Sequence, residues 1–327
     1  MTSLHRRLTK VLVPAFCLFV ASNAIVSAQS TTELEALREV TLATNPTTKL
    51  TAAENFVAKF PNSNLRLGLA QTIADEILKI KNGTVALALL ERAQAIFTAD
   101  KEREILKPTA LEAYILGNRP DDAFTLAAEL LTKNPDNFLV LFRMSQIGSE
   151  EVRKRNRKYA DVSLKYGLKA IALLEAGNNT IVIGDLEMRL PSYLDQLYQQ
   201  TAILYLAAGN PAEAKTRLTK ASMVSPQDPS NFALLARVIN ADYNAQKDAY
   251  EAMSEGEAKQ KAKTALEPVL DSMIDTYARA AGLATGRVEY QTLLQQVIPD
   301  LTAYYKYRHN QSIEGLQQLI ERYRAGQ

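Results

Sequence analysis

The chain has 327 residues, with 38 Lys and Arg against 36 Asp and Glu, two histidines, one cysteine and no tryptophan; 47% of its residues are hydrophobic. That is enough apolar material for a sizeable core. A single cysteine excludes a disulfide framework, and a formal net charge of +2 falls far short of the positive field that nucleic-acid binding draws on.

The first ten residues, MTSLHRRLTK, carry Arg6, Arg7 and Lys10 and no acid. An apolar stretch of 16 residues follows at 11–26, and VSAQS places small residues at Val26 and Ala28. This order is that of a secretory signal peptide, so residues 1–28 are expected to be removed by cleavage after Ala28. The stretch is shorter than the ~20 apolar residues a membrane span needs and contains Pro14, which argues against an uncleaved anchor. Leu8, Thr9 and Lys10 do not supply the Phe-Leu pair of a twin-arginine signal, and Cys17 lies mid-stretch, where it does not suit lipidation. The expectation is an exported protein, periplasmic or secreted. Residues 29–327 then carry a net charge of −1, no cysteine and no apolar run of spanning length, so neither a transmembrane segment nor a nucleic-acid partner is expected.

From Leu111 to Asn137 the sequence LEAYILGNRPDDAFTLAAELLTKNPDN puts Tyr114 before a Gly-Asn-Arg-Pro turn, then Ala123, Ala127 and Leu130, and stops at Pro135. A step of 37 residues upstream from Ala123 reaches Ala86, followed by Leu90, Ala93 and Thr98; the same step downstream reaches Ala160, followed by Leu164, Gly167 and Ala172. One step further upstream, Phe56 and Pro61 keep register, although Lys49 replaces the small residue. AGNPAEAKTRLTKASMVSPQDP, 208–229, repeats the pattern: Asn210 as N-cap, Pro211 at the first helical position, Glu213 placed to reach back to the cap, then Ala214, Leu218 and Ala221 on one stripe before Pro226 and Pro229. Tyr198, Ala202 and Tyr205 form the stripe of the preceding helix. A recurring unit of this size signals stacked helix pairs.

The series Tyr198, Ala202, Tyr205, Ala214, Leu218, Ala221, Pro226 resembles the tetratricopeptide repeat, with Tyr198 where that family often has Trp and Leu218 where it prefers an aromatic. The match is strongest over 196–229, weaker over 103–137 and degenerate over 64–99 and 138–172, and the 37-residue step is longer than the usual 34. The chain also resembles exported bacterial proteins built from such repeats. The resemblance implies an all-α protein, a right-handed α-solenoid of stacked antiparallel helix pairs with a C-terminal capping helix. Pairs are expected near 31–61, 64–99, 102–135, 137–175 and 188–225. The domain reading is a signal peptide at 1–28, repeats at 29–228 and a longer-helix region at 229–327 that completes and caps the solenoid.

Two segments break the rhythm. EAGNNTIVIGDLEMRLPS, 175–192, stretches the step from Ala160 to Ala214 to 54 residues, and its β-branched TIVIG is unlike a helix. EAMSEGEAKQKAKTALEP, 251–268, is polar with alternating charge and reads as a hinge near Gly256.

The inventory for chemistry is thin. Residues 29–327 contain one histidine, His309, and the sequence shows no phosphate loop, His-Glu-x-x-His or Gly-x-Ser-x-Gly element. No catalytic residue, metal ligand or cofactor is assigned. The basic run VRKRNRKY concentrates Arg153, Lys154, Arg155, Arg157 and Lys158, enough to attract an acidic peptide, a phosphorylated glycolipid or an anionic head group. Winding at about 100° per residue spreads them around a helix, so a solvated helix start is the expected role. The tyrosines of LTAYYKYRHNQSIEGLQQLIERYR are expected to pack beneath a last helix whose apolar face is Leu316, Leu319, Ile320 and Tyr323. The functional expectation is a non-enzymatic scaffold or adaptor of the bacterial cell envelope. It binds a peptide or protein segment on the concave face through Gln71, Asp75, Glu112, Ser145 and Gln199, with Arg153 and Arg157 beside them. The competing class is a lipid or glycan carrier or an envelope enzyme.

Overall fold

A computed structural model describes residues 31–176, 180–183, 186–189 and 191–324. The expected signal segment, 1–28, lies outside the described residues, as do 177–179, 184, 185 and 190 of the insertion. Fourteen α-helices occur among the described residues. They are α1 (Thr31–Leu42), α2 (Pro46–Lys59), α3 (Arg66–Leu78), α4 (Gly83–Ile96), α5 (Asp100–Leu116), α6 (Pro120–Lys133), α7 (Phe138–Arg153) and α8 (Ala160–Glu175), then α9 (Pro191–Ala207), α10 (Pro211–Val224), α11 (Pro229–Glu251), α12 (Glu257–Ala284), α13 (Gln291–Arg308) and α14 (Leu316–Glu321). Between α8 and α9, β1 (Thr180–Ile183) and β2 (Leu186–Arg189) pair in a two-stranded sheet, so the first four residues of TIVIG form a strand. No described helix is long and apolar enough to cross a membrane.

Helix starts follow the Asn/Asp-x signals of the sequence. Asn45, Asn82 and Asn210 accept hydrogen bonds from the backbone N–H three residues on, at 2.9, 3.1 and 3.2 Å, and Asp228 accepts from Ser230 N at 2.9 Å. Pro46, Pro211 and Pro229 then open their helices, where a missing N–H costs nothing. Glu213 does not reach back to Asn210. The Asn210 N–H is already held by the Tyr205 carbonyl at 2.9 Å, and the Glu213 carboxylate turns to Arg217 at 3.8 Å.

The helices form two compact units: one runs to Val140 and includes Val182–Met188, the other comprises Leu141–Ile181 and Arg189 onward. In the first unit each helix packs on its neighbour, α3 also on α5, and α2 also on α4. First helices thus stack on first helices and second on second, the tetratricopeptide-like arrangement. Its core is Leu50, Phe56, Leu69, Ile73, Leu90, Phe97 and Leu106. In the second unit α8 to α13 pack in sequence, α11 also touches α13, and α14 touches α12. Tyr277, Met273, Val297 and Leu301 centre its larger core.

The alanine stripes are the packing positions. Ala86, Ala93, Ala123, Ala127, Ala214 and Ala221 are all buried, which lets neighbouring backbones approach closely. In α8 the stripe is Ala160, Ser163, Gly167, Ala170 and Leu174, and Ala172 is exposed. Twelve residues carry Ala172 about 120° around the helix from Ala160, off the buried face. Lys49, the odd residue of its stripe, bonds Glu76 of α3 at 2.8 Å. Burial opposes ionisation of Glu76, but hydrogen bonds from Lys49 and Lys79 outweigh it and lower its pKa. The segment 251–268 breaks only between Glu251 and Glu257. At the C-terminus Leu301 and Tyr305 are buried, Tyr305 stacks on His309 with centroids 4.0 Å apart, and its hydroxyl donates to the Glu314 carbonyl at 2.6 Å. The short α14 then lays Ile320 against α12.

Candidate functional site

In the first unit an open groove of about 430 Å³ lies over α5, walled by α4 and α6. Its floor is Leu106, Ala110, Tyr114 and Leu126, and its rim is Gln94, Arg103, Lys107, Asp122, Thr125 and Glu129. Residues 103, 106, 107, 110 and 114 recur at three- and four-residue steps, so one face of α5 runs the length of the groove. Lys107 bridges Glu104 and Glu129, and those hydrogen bonds hold its pKa above the ordinary lysine range. At one end Arg103 is exposed; at the other, Arg119 covers the Tyr114 ring at 5.1 Å and pairs with Asp122 at 2.7 Å. An apolar floor between rims of both charges suits an extended peptide. From Arg103 to Tyr114 the helix rises ~16 Å, the length of about five extended residues.

The structure distributes the sequence-predicted residues differently. Gln71 and Asp75 lie together on α3, Gln71 donating to Asp75 at 2.8 Å. Glu112 lies about 180° around α5 from Arg103, on the side away from the groove, and is half-buried. Ser145 is fully buried; its hydroxyl lies 2.5 Å from where a Cβ on Gly167 would stand, so it is a packing residue and not part of an accessible face. Gln199 is committed to a structural network, donating to Asn231 at 2.8 Å and Asp228 at 3.4 Å, while Asn231 donates to the Ala221 carbonyl at 3.2 Å. Arg153 and Arg157 are exposed at the end of α7 and in the turn before α8.

Beside Gln199, Asp195 is half-buried, and burial pushes its carboxyl up against the opposing hydrogen bonds from Ser225 Oγ and the Gln196 N–H. Asp228 nearby adds to the rise, but its own oxygens cap α11 and receive Gln199. These carboxylates serve the α9–α11 contact. Among the described residues no group of three or more His, Cys, Asp or Glu is placed to hold a metal ion.

Sequence reasoning missed the groove because it assigned binding to one face of the first helices. The signal was present in α5, where Arg103, Leu106, Lys107, Ala110 and Tyr114 form a second, mixed stripe opposite Glu112.

No family model matches the chain, and no curated protein matches it. Among solved structures it overlaps Pseudomonas aeruginosa pilF at 14% identity and TM-score 0.39, covering 78% of this chain and 97% of that one. It overlaps a tetratricopeptide repeat protein from Parabacteroides merdae at 15% and 0.43, covering 82% and 100%. The IFIT1 monomeric mutant bound to m7Gppp-AAAA overlaps at 17% and 0.40, covering 84% and 55%. At these scores the overlaps carry no inference about activity. The repeat architecture rests on the chain's own contacts and buried alanines.

Proposed function

We propose that the protein is a non-enzymatic scaffold, exported to the bacterial cell envelope, that binds a peptide or protein segment. The observation that carries the binding reading is the groove over α5, with its apolar floor and its charged rims. Main-chain shape and alternating side chains would be read along the floor, and Arg103 would take an acidic or carboxylate group at one end. The charge order of the signal-like segment supports export.

A pull-down from envelope extracts compares wild type with Thr125→Trp. Thr125 is exposed on the groove wall, so the indole fills the groove without disturbing the core. The expected result is a protein partner retained by wild type and lost by the variant. Equal behaviour of the two counts against the reading, and a lipid or glycan that co-purifies in native mass spectrometry supports the carrier alternative instead.

A further inference from the structure

The α7–α8 turn departs from two of its equivalents at the same repeat positions, those after α5 and α9. After α5 and α9 the chain closes in one motif: Asn118 (φ 55°) and Gly209 (φ 74°) are left-handed, and the N–H groups of Arg119 and Asn210 reach back to the carbonyls of Tyr114 and Tyr205 at 2.8 and 2.9 Å. α7 ends the same way, Asn156 N–H to the Glu151 carbonyl at 2.9 Å, but the left-handed residue is Arg155 (φ 69°). Glycine and asparagine tolerate that backbone, whereas an arginine Cβ is strained by it.

The following helix start is also reversed. α6 and α10 open on Pro120-Asp121-Asp122 and Pro211-Ala212-Glu213, with acids at the end where the helix dipole favours them. The equivalent residues before α8 are Arg157, Lys158 and Tyr159. Residues 117–122 and 208–213 each carry a net charge of −1, and 154–159 carry +4. Glu151, in the place of Tyr114 and Tyr205, is buried and bonded to Lys154 and Asn156, both at 2.8 Å, and Lys158 lies 5.2 Å from the Tyr159 ring. Arg155 and Arg157 are exposed in the turn, and Arg153 is exposed at the end of α7, although the atoms packed around its guanidinium desolvate it and lower its pKa from the ordinary value. Cations that merely settle the α7 C-terminus would stop at Arg155; Arg157 and Lys158 stand at the unfavourable end of α8. Because 154–159 is a turn and not a helix, its four cations fall within five consecutive residues without being wound around a cylinder.

We propose that this corner docks the protein onto an anionic phospholipid surface. Guanidinium groups match phosphate oxygens with paired hydrogen bonds, and exposed cations on a turn meet a flat polyanion without the floor that a peptide requires. Co-sedimentation of residues 29–327 with phosphatidylglycerol–phosphatidylcholine vesicles, and with phosphatidylcholine alone, tests this. Partitioning to the anionic vesicles is expected to fall with salt, and by about fivefold for each cation removed, so about a hundredfold for Arg153→Gln/Arg155→Gln/Arg157→Gln. Lys261→Gln/Lys263→Gln, which removes exposed cations elsewhere, changes it less than twofold. Arg155→Gly keeps the fold with a raised Tm and still loses about fivefold, separating charge from structure. No partitioning by wild type, equal binding to neutral vesicles, or an unchanged triple variant overturns the proposal. So does capture of a polyglutamate peptide by the corner when vesicles are not bound, which assigns the surface to an acidic protein.

Discussion

Arg66 holds Glu102 with both arms of its guanidinium, Nε to Oε1 at 2.6 Å and Nη2 to Oε2 at 2.9 Å. Arg66 also donates to the carbonyls of Pro61 and Ile96, each at 3.1 Å, and Glu102 accepts the Ala99 N–H at 3.1 Å. One ion pair therefore joins the turn before α3, the end of α4 and the first turn of α5, just ahead of the groove. Glu102 is only 2% exposed. Arg66→Ala strands that carboxylate and is expected to cost about 3 kcal/mol in urea unfolding.

The pH dependence of this pair has a definite sign. The hydrogen bond from Arg66, against the opposing effect of burial, lowers the Glu102 pKa from its ordinary 4.5. Its contribution is complete above 4.5 and is lost as pH falls through the lower folded value. Wild type and Arg66→Ala should differ most near neutrality and converge in acid; a constant difference down to pH 2 would contradict this.

Asp195 has the opposite sign. Burial raises its folded pKa above the ordinary 3.8, so its ionisation weakens the fold as pH rises from below 3.8 through the folded value. Asp195→Asn is expected to raise Tm at pH 7 and to lose that advantage below pH 3.8. Thermal unfolding across pH checks it, and a lower Tm at pH 7 would show that the carboxylate charge is structurally required.

Ser145 separates packing from binding. Its hydroxyl is buried without a hydrogen-bond partner, which carries a desolvation cost. Ser145→Ala is expected to be neutral or stabilising by ~1 kcal/mol, with partner capture unchanged. Loss of capture at unchanged stability would return Ser145 to the binding surface.

Gly282 lets the last helix dock. A Cβ there would stand 2.4 Å from the Ile320 carbonyl and 2.7 Å from Tyr323 Cβ. Gly282→Ala is expected to release α14, read as faster amide exchange over 316–323 with little change in α5.

The repeat was legible because its signals are local. Asn-Pro and Asp-Pro starts and alanine stripes act within a few turns of helix, and with the 37-residue step that links the stripes up to Ala160 they place five helix pairs to within a few residues. The strand at TIVIG was legible only as something other than a helix, since its partner lies in the equally irregular LEMR. Where burial depends on a third helix, local patterning misled. Ser145 and Gln71 occupy equivalent repeat positions, yet Gly167 admits α8 onto one and the other is exposed. The groove needs α4, α5 and α6 together, which no local pattern displays, and the basic run reads as an ordinary helix start from sequence because no local signal shows that 154–159 is a turn.

Site-specific photo-crosslinking in the cell envelope tests the central claim most directly, with the reactive group placed at Thr125 on the groove wall, or at Lys101 or Gln71, which are exposed outside it. The groove reading predicts a protein adduct from Thr125 and none from the other two. Adducts from Gln71 alone would move the binding surface to the face of the first helices, and the absence of adducts at Thr125 in cells that yield them elsewhere would contradict a peptide-binding groove over α5.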